Sequence, residues 1–315
     1  MYQILKLGCV YTMKKWILGI AGVVLAATLA GCGSSTVANM KGAKITKDEY
    51  YQEMKSTTSG QSTLRSMIVL KALEQQYGKK VSDKKVTAQY NKVKSQYGSS
   101  FSSALQQSGL TTKTFKEQIK TSLLSSVALK DLKKPTNKQI DAQWKKYQPK
   151  ITVQHILVAK KSKAEELIAD LKKDNSEKNF AKLAKANSTD TATASDAGKL
   201  SAFDNTDTSL DSTFKAAAFK LTKAGDFTQT PVKTSYGYHI IRAIKVPAKG
   251  TKAQHKAELK KQLYTKWESD TTVMTGIIKK VLKKANVSIK DSDLKNVLSV
   301  YLSNSSSSTT SSTAN

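Results

Sequence analysis

The chain has 315 residues, 39% of them hydrophobic, and a formal net charge of +28 at pH 7. That length supports two packed domains, while two cysteines and three histidines leave no room for a disulfide framework or a thiolate metal site. Nearly all of the basic charge is lysine, a hydrated point charge rather than the planar fork suited to reading nucleic acid, so nucleic acid is not an expected partner.

The chain opens with a targeting segment. From Met13, "MKKWILGIAGVVLAATLAGCG" sets two lysines before an apolar stretch too short to span a bilayer comfortably, the layout of a secretory signal. Leu29-Ala30-Gly31-Cys32 resembles the lipobox of bacterial lipoproteins, which implies cleavage after residue 31, translation from Met13 and a lipid on Cys32. Processing removes Cys9, and with Lys6, Lys14 and Lys15 gone the charge is 28 − 3 = +25. The expected place is the outer face of a cell membrane, where the lysines would meet anionic headgroups or wall polymers, or serve only solubility.

Residues 32–44 read as a linker. A helical segment follows over 45–149, opened by a capping box at Thr46–Glu49. Helical spacing recurs through Leu64, Met67, Leu70 and Leu73, through Val86, Tyr90, Val93 and Tyr97, through Phe115, Ile119, Leu123 and Val127, and through Ile140 and Trp144. The pattern changes at Pro149. A strand over 151–158, helices over 163–173 and 177–186, a polar loop, a short helix over 209–220 and two strands ending before Pro247 make a compact α+β unit, 150–247. Helical spacing resumes over 248–302, with one long run at 253–287, and the Ser/Thr tail at 303–315 has nothing to bury. Neither helical flank is apolar enough to stand alone, so the two are expected to share one all-α domain around the inserted unit.

Two of the three histidines, His155 in "ITVQHILVAK" and His239 in "TSYGYHIIRAI", lie inside apolar strands. A buried imidazole needs partners for both ring nitrogens. Pairing the two satisfies one nitrogen of each and predicts that their strands are neighbours, with Gly237 leaving space beside His239. His255, in "AQHKAELKK", reads as part of an exposed helix face.

"HILV", "NSTD", "TFKAAAFKL" and "YGYHII" together resemble parvulin-type peptidyl-prolyl isomerases. Lipobox, helices, inserted domain, helices and Ser-rich tail resemble the layout of extracytoplasmic foldase lipoproteins of Gram-positive bacteria. The resemblance implies a catalytic group of His155, Asp190 and His239, a proline-receiving wall of Leu200, Phe203, Leu210 and Phe214, and a rim of Thr234 and Tyr236, with no cofactor and no metal. Residues 197–203, "AGKLSAF", depart from the family's "GGDLGWF"-like turn by two glycines, the acid and the aromatic. Three functions follow: a foldase that isomerises X-Pro bonds in unfolded or partly folded secreted proteins; a non-catalytic holdase, favoured by the altered turn; and a solute-binding lipoprotein, which lacks the two α/β lobes it would need. Exposed helical faces are compatible with a homodimer.

Overall fold

The computed structural model describes residues 35–303. The targeting segment, Cys32 and the residues beyond 303 lie outside that span. Two compact units emerge: residues up to Lys134 with those from Trp267 onward, and Pro135–Lys266.

The first unit begins with Thr36–Met40 (β1) and Ala43–Thr46 (β2), an antiparallel hairpin where the sequence predicts a linker. Lys41-Gly42 makes the turn, with Gly42 at φ +81, which alternation alone could not reveal in so short a segment. Helix α1, Lys47–Ser56, starts at the expected capping box, with reciprocal bonds between Thr46 and Glu49. Then come α2 (Thr58–Tyr77), α3 (Asp83–Tyr97), α4 (Phe101–Gln107) and α5 (Thr112–Leu132). Each is capped by a side chain except α4. Leu73, Phe115 and Ile119 are buried as expected, but the buried faces are otherwise shifted: α2 also buries Val69, Ala72 and Tyr77 while Met67 is exposed, and α5 continues through Leu124, Ala128 and Leu129 rather than Leu123 and Val127. Both shifted faces follow from packing on two sides, which periodicity cannot assign.

The second unit opens with α6, Asn137–Lys146, and reaches β3, Thr152–Val158. Helices α7 (Lys161–Lys173), α8 (Glu177–Asn187), α9 (Thr191–Ala194) and α10 (Ser212–Ala218) precede β4 (Val232–Thr234) and β5 (Gly237–Lys245). The sheet is antiparallel in the order β3-β5-β4. One face packs against α7 and α8 through Ile156, Val158, Ile240, Leu167, Leu171 and Phe180. The other carries Val153, Ile241, Ala243, Phe203, Phe214 and Ala218. Gly237, at φ +143, is no open space: a Cβ there would stand 2.6 Å from the Val158 carbonyl oxygen, so the glycine permits a close strand approach.

His255 is half-buried rather than on a helix face, because α11, Lys256–Glu268, starts only after it. Its Nδ1 lies 3.0 Å from the Tyr147 hydroxyl, and its ring packs on Tyr147 and Trp144. The run expected at 253–287 is broken at Asp270, which caps α12, Thr271–Ala285. Helix α12 returns to the first unit, packing on α2 and α5, so the end of the C-terminal flank shares a core with the N-terminal helices, whereas α6 and most of α11 fall in the second unit. A last short helix, α13 (Ser299–Leu302), follows the buried Leu294, Val297 and Leu298.

Candidate functional site

In the sheet register His155 on β3 faces Ile241, and Leu157 faces His239 on β5. The two histidines are therefore diagonal neighbours on one sheet face, within side-chain reach. Their Nδ1 atoms are 3.1 Å apart and their rings nearly parallel, at 18°. Both are buried, at 5% and 6% exposure.

The outer nitrogens determine the protons. His155 Nε2 is 2.8 Å from Asp190 Oδ2, and an ionised carboxylate only accepts, so His155 Nε2–H donates. A neutral His155 must then accept at Nδ1 from His239 Nδ1–H. His239 Nε2 is left to accept from the Thr234 hydroxyl at 2.8 Å, and Thr234 Oγ1 accepts from the Tyr236 amide at 3.2 Å. The result is a one-way chain: Tyr236 amide, Thr234, His239, His155, Asp190. Thr193 closes the acidic end, its hydroxyl donating to Asp190 Oδ2 at 2.6 Å beside His155 Nε2.

The electrostatics agree with neutral rings. Burial pushes His239 down to about 4, reinforced by the neighbouring His155 and opposed by Asp211 and Asp190. Burial also lowers His155, against the opposing hydrogen bond and charge of Asp190. Burial would raise Asp190, but hydrogen bonds from Thr193 and His155 outweigh it and hold the carboxyl below its ordinary range. The His155–Asp190 contact is thus a hydrogen bond to a carboxylate rather than an ion pair at neutral pH.

Local chemistry aims each group. Asp190 caps α9, accepting from the Ala192 amide, while the Ser188 hydroxyl accepts from the amides of Asp190 and Leu157. Asp211 caps α10 through the amides of Thr213 and Phe214, presenting Phe214 to the histidines. The Phe214 ring meets both imidazoles edge-on, at 5.6 and 5.1 Å. Phe203 packs on Phe214, and Leu200 and Leu210 border the same apolar cluster. Tyr236 stands at the rim, 75% exposed.

The altered turn is bonded along its length to β3. Ala197 occupies a left-handed conformation at φ +56 and Gly198 follows at φ +72. A Cβ on Gly198 would fall 2.0 Å from the His155 carbonyl oxygen, so this glycine cannot be replaced without displacing β3. The His155 amide donates to the Gly198 carbonyl at 2.8 Å, Leu200 N–H to Val153 at 3.0 Å, and Ile151 and Phe203 exchange a pair of bonds. Residues 198–203 thereby run along β3 and aim Leu200 and Phe203.

All nine expected catalytic, wall and rim residues fall in this region, and Cys32 lies outside the described residues. Sequence reasoning missed Thr193, Ser188 and Asp211. Thr193 carries no signal beyond its place three residues after Asp190, whereas Asp211 could be found as a helix-capping residue before "STFKAAA". Among the described residues no cluster of three metal-ligating side chains occurs.

Residues 150–245 match the family model of the PPIC-type peptidyl-prolyl isomerase (rotamase) domain. The chain is 58% identical over 289 residues to foldase protein PrsA of Latilactobacillus sakei, covering 92% of this chain and 95% of that one. It is also 58% identical to foldase protein PrsA 1 of Lactiplantibacillus plantarum, over 94% and 99%. The crystal structure of foldase protein PrsA from Streptococcus pneumoniae matches with a TM-score of 0.71 at 31% identity, covering 85% of this chain and all of that one. That from Lactococcus lactis matches with a TM-score of 0.65 at 30% identity, over 85% and 99%.

Proposed function

Because this chain belongs to the PrsA foldase family and carries a PPIC-type peptidyl-prolyl isomerase domain, we propose that it is anchored to the outer face of the membrane through a lipid on Cys32 and catalyses X-Pro isomerisation in secreted proteins as they fold. Catalysis, rather than holding alone, is the work assigned to the second unit. The observation that carries this reading is the one-way hydrogen-bond chain from Tyr236 to Asp190 lying against the apolar wall of Phe214.

The chemistry needs no covalent step. Rotation about a prolyl amide is opposed by resonance, with a barrier of ~18–20 kcal/mol. The planar amide is more polar than the twisted one, so a dry wall of Leu200, Phe203, Leu210 and Phe214 that receives the ring favours the twisted form. The neutral histidine pair supports this by keeping full charge away from the wall while satisfying its own polar atoms. A thousandfold acceleration requires only ~4 kcal/mol of differential stabilisation. Asp190, with its side chain about a quarter exposed, and the rim pair Thr234 and Tyr236 are the groups placed to orient the peptide on either side.

The alternative, a holdase with a degenerate domain, draws its support from the altered turn. The backbone bonds that join 197–203 to β3 weigh against it, since the lost side chains are not those that lock the turn there. Among the described residues no helix is long and apolar enough to cross a membrane. The test is exchange NMR on a short X-Pro peptide with the full chain, comparing wild type, His155→Ala and His239→Ala, each checked for fold. Acceleration by wild type that vanishes in folded variants is the expected result. A folded wild type that leaves the exchange rate unchanged sinks the catalytic reading.

A further inference from the structure

The hairpin that opens the first unit is two-faced. In its register Ala38 pairs with Ile45 and Met40 with Ala43, so one side is wholly apolar, while Asn39 pairs with Lys44 on the other. No residue of the hairpin is buried. Met40 is 54% exposed and Ile45 41%, and Ala43 is exposed between them. A two-stranded hairpin is marginal alone in water, and one with an open apolar side calls for a cover.

We propose that this face docks on the anionic surface of the lipid bilayer, which makes the hairpin a second, peripheral membrane contact beside the lipid. The inference rests on the anchoring at Cys32 proposed above. Only Gly33, Ser34 and Ser35 separate Cys32 from Thr36, a reach of at most about 14 Å. A lipidated Cys32 thus keeps Thr36 within about 14 Å of its acyl chains, close enough for the hairpin to lie on the headgroups. The charge fits as well: residues 33–47 contain Lys41, Lys44 and Lys47 and no acid. Lys41 lies in the turn with Lys44 one residue before Ile45, both exposed. A strand is thin enough that Lys44, although on the opposite side, stays within about a Debye length of 8–10 Å of the headgroups. Exposed apolar side chains set among lysines are the composition that binds an interface without spanning it.

The test uses the full chain made in a Gram-positive host and purified in detergent. Mass spectrometry first reads the acyl groups on Cys32. Cys9 and Cys32 being the only cysteines, the processed lipoprotein has no free thiol, so Ile45→Cys and Lys173→Cys each take one environment-sensitive fluorophore. The labelled proteins are reconstituted into phosphatidylcholine vesicles with and without phosphatidylglycerol. The expected result is an acylated chain whose residue-45 label is blue-shifted in phosphatidylglycerol vesicles and quenched by brominated lipid at least about twofold more than the residue-173 label. Lys41→Glu with Lys44→Glu should abolish the difference.

An acylated chain with equal quenching at both positions overturns the docking while leaving the anchor intact. A chain without acyl groups removes the tether, and both readings fall. Equal quenching of the residue-45 label with and without phosphatidylglycerol overturns the anionic assignment. A blue shift that grows with protein concentration before vesicles are added gives the face to a second copy of the chain and overturns the proposal.

Discussion

Acidification is the perturbation to which the histidine pair should respond most specifically. Protonating His155 sets two donors against each other across the 3.1 Å contact, and protonating His239 sets its Nε2–H against the Thr234 hydroxyl that donates to it, which must turn round to accept. The folded protein resists this, and His239 titrates at about 4 rather than 6.5. Between those values the unfolded chain binds a proton that the folded one refuses, so stability falls as pH falls. The contribution is complete above pH 6.5 and gone below about 4. The difference of 6.5 − 4 = 2.5 units, at 1.36 kcal/mol each, corresponds to at most about 3 kcal/mol. His155, lowered also by burial, acts in the same direction. Urea denaturation of wild type and His239→Gln between pH 4 and 8 isolates the effect, because carboxylates common to both cancel. The wild type should lose up to about 3 kcal/mol more than the variant over that range, and the His239 Cε1 proton resonance should titrate near 4. Superimposable pH slopes, or a resonance that titrates at 6.5, would refute the neutral one-way chain.

Asp190→Asn leaves one of the two donors on Oδ2 without an acceptor, or turns an amide group against the Ala192 N–H. It should cost about 1–2 kcal/mol and lower the His155 pKa further, because Asp190 raises it, which an NMR titration reads directly. Ala197→Gly relieves a left-handed alanine worth about 1 kcal/mol, partly offset by unfolded-state entropy, so the melting temperature should rise slightly without change in activity. Gly198→Ala drives a Cβ into the His155 carbonyl, and both melting temperature and isomerisation should collapse together. Phe214→Ala opens the wall beside both histidines and should destabilise the unit by about 3–5 kcal/mol. Phe214→Leu, a smaller change at this buried position, should leave a folded unit with a raised KM for X-Pro peptides, read by circular dichroism and a protease-coupled isomerisation assay.

Much of the site is legible because burial restricts what a histidine can do. His155 and His239 sit among Val153, Leu157 and Ile241, so each needs a nearby polar partner, and mutual pairing requires adjacent strands. That inference needs no coordinates. The outer partners come from short, irregular stretches: Asp190 from the loop after α8, Thr234 from the end of the three-residue strand β4. Their contribution depends on backbone paths that no periodicity encodes, so Asp190 and Thr234 are reached by resemblance, and Thr193 is not reached at all. His255 is misread for a related reason. Helical spacing runs through it, but the chain before Lys256 folds back on α6, where Lys252 pairs with Asp141 and Lys249 covers Trp144. The hairpin at 36–46 eludes sequence reading because strands of five and four residues give alternation too few repeats to stand out.

The turn at 197–203 shows why a lost motif residue need not mean a lost site. Two demands are made on this segment: positive φ at two successive positions, and no side chain where the loop crosses the His155 carbonyl. The second is absolute, because a Cβ at Gly198 would overlap the strand backbone, and glycine is retained there. The first is only a matter of about 1 kcal/mol for an alanine, a cost the bonds from Gly198, Leu200 and Phe203 to β3 can absorb. Replacing the acid with Lys199 costs little for the same reason, since this side chain lies at the surface near Glu177. Ala197 and Lys199 thus stand where the backbone tolerates change, and the retained Gly198, Leu200 and Phe203 lock the loop and build the wall. Catalytic competence therefore turns on whether that wall receives a prolyl ring, a question of side-chain packing at Leu200, Phe203, Leu210 and Phe214 rather than of the motif's spelling.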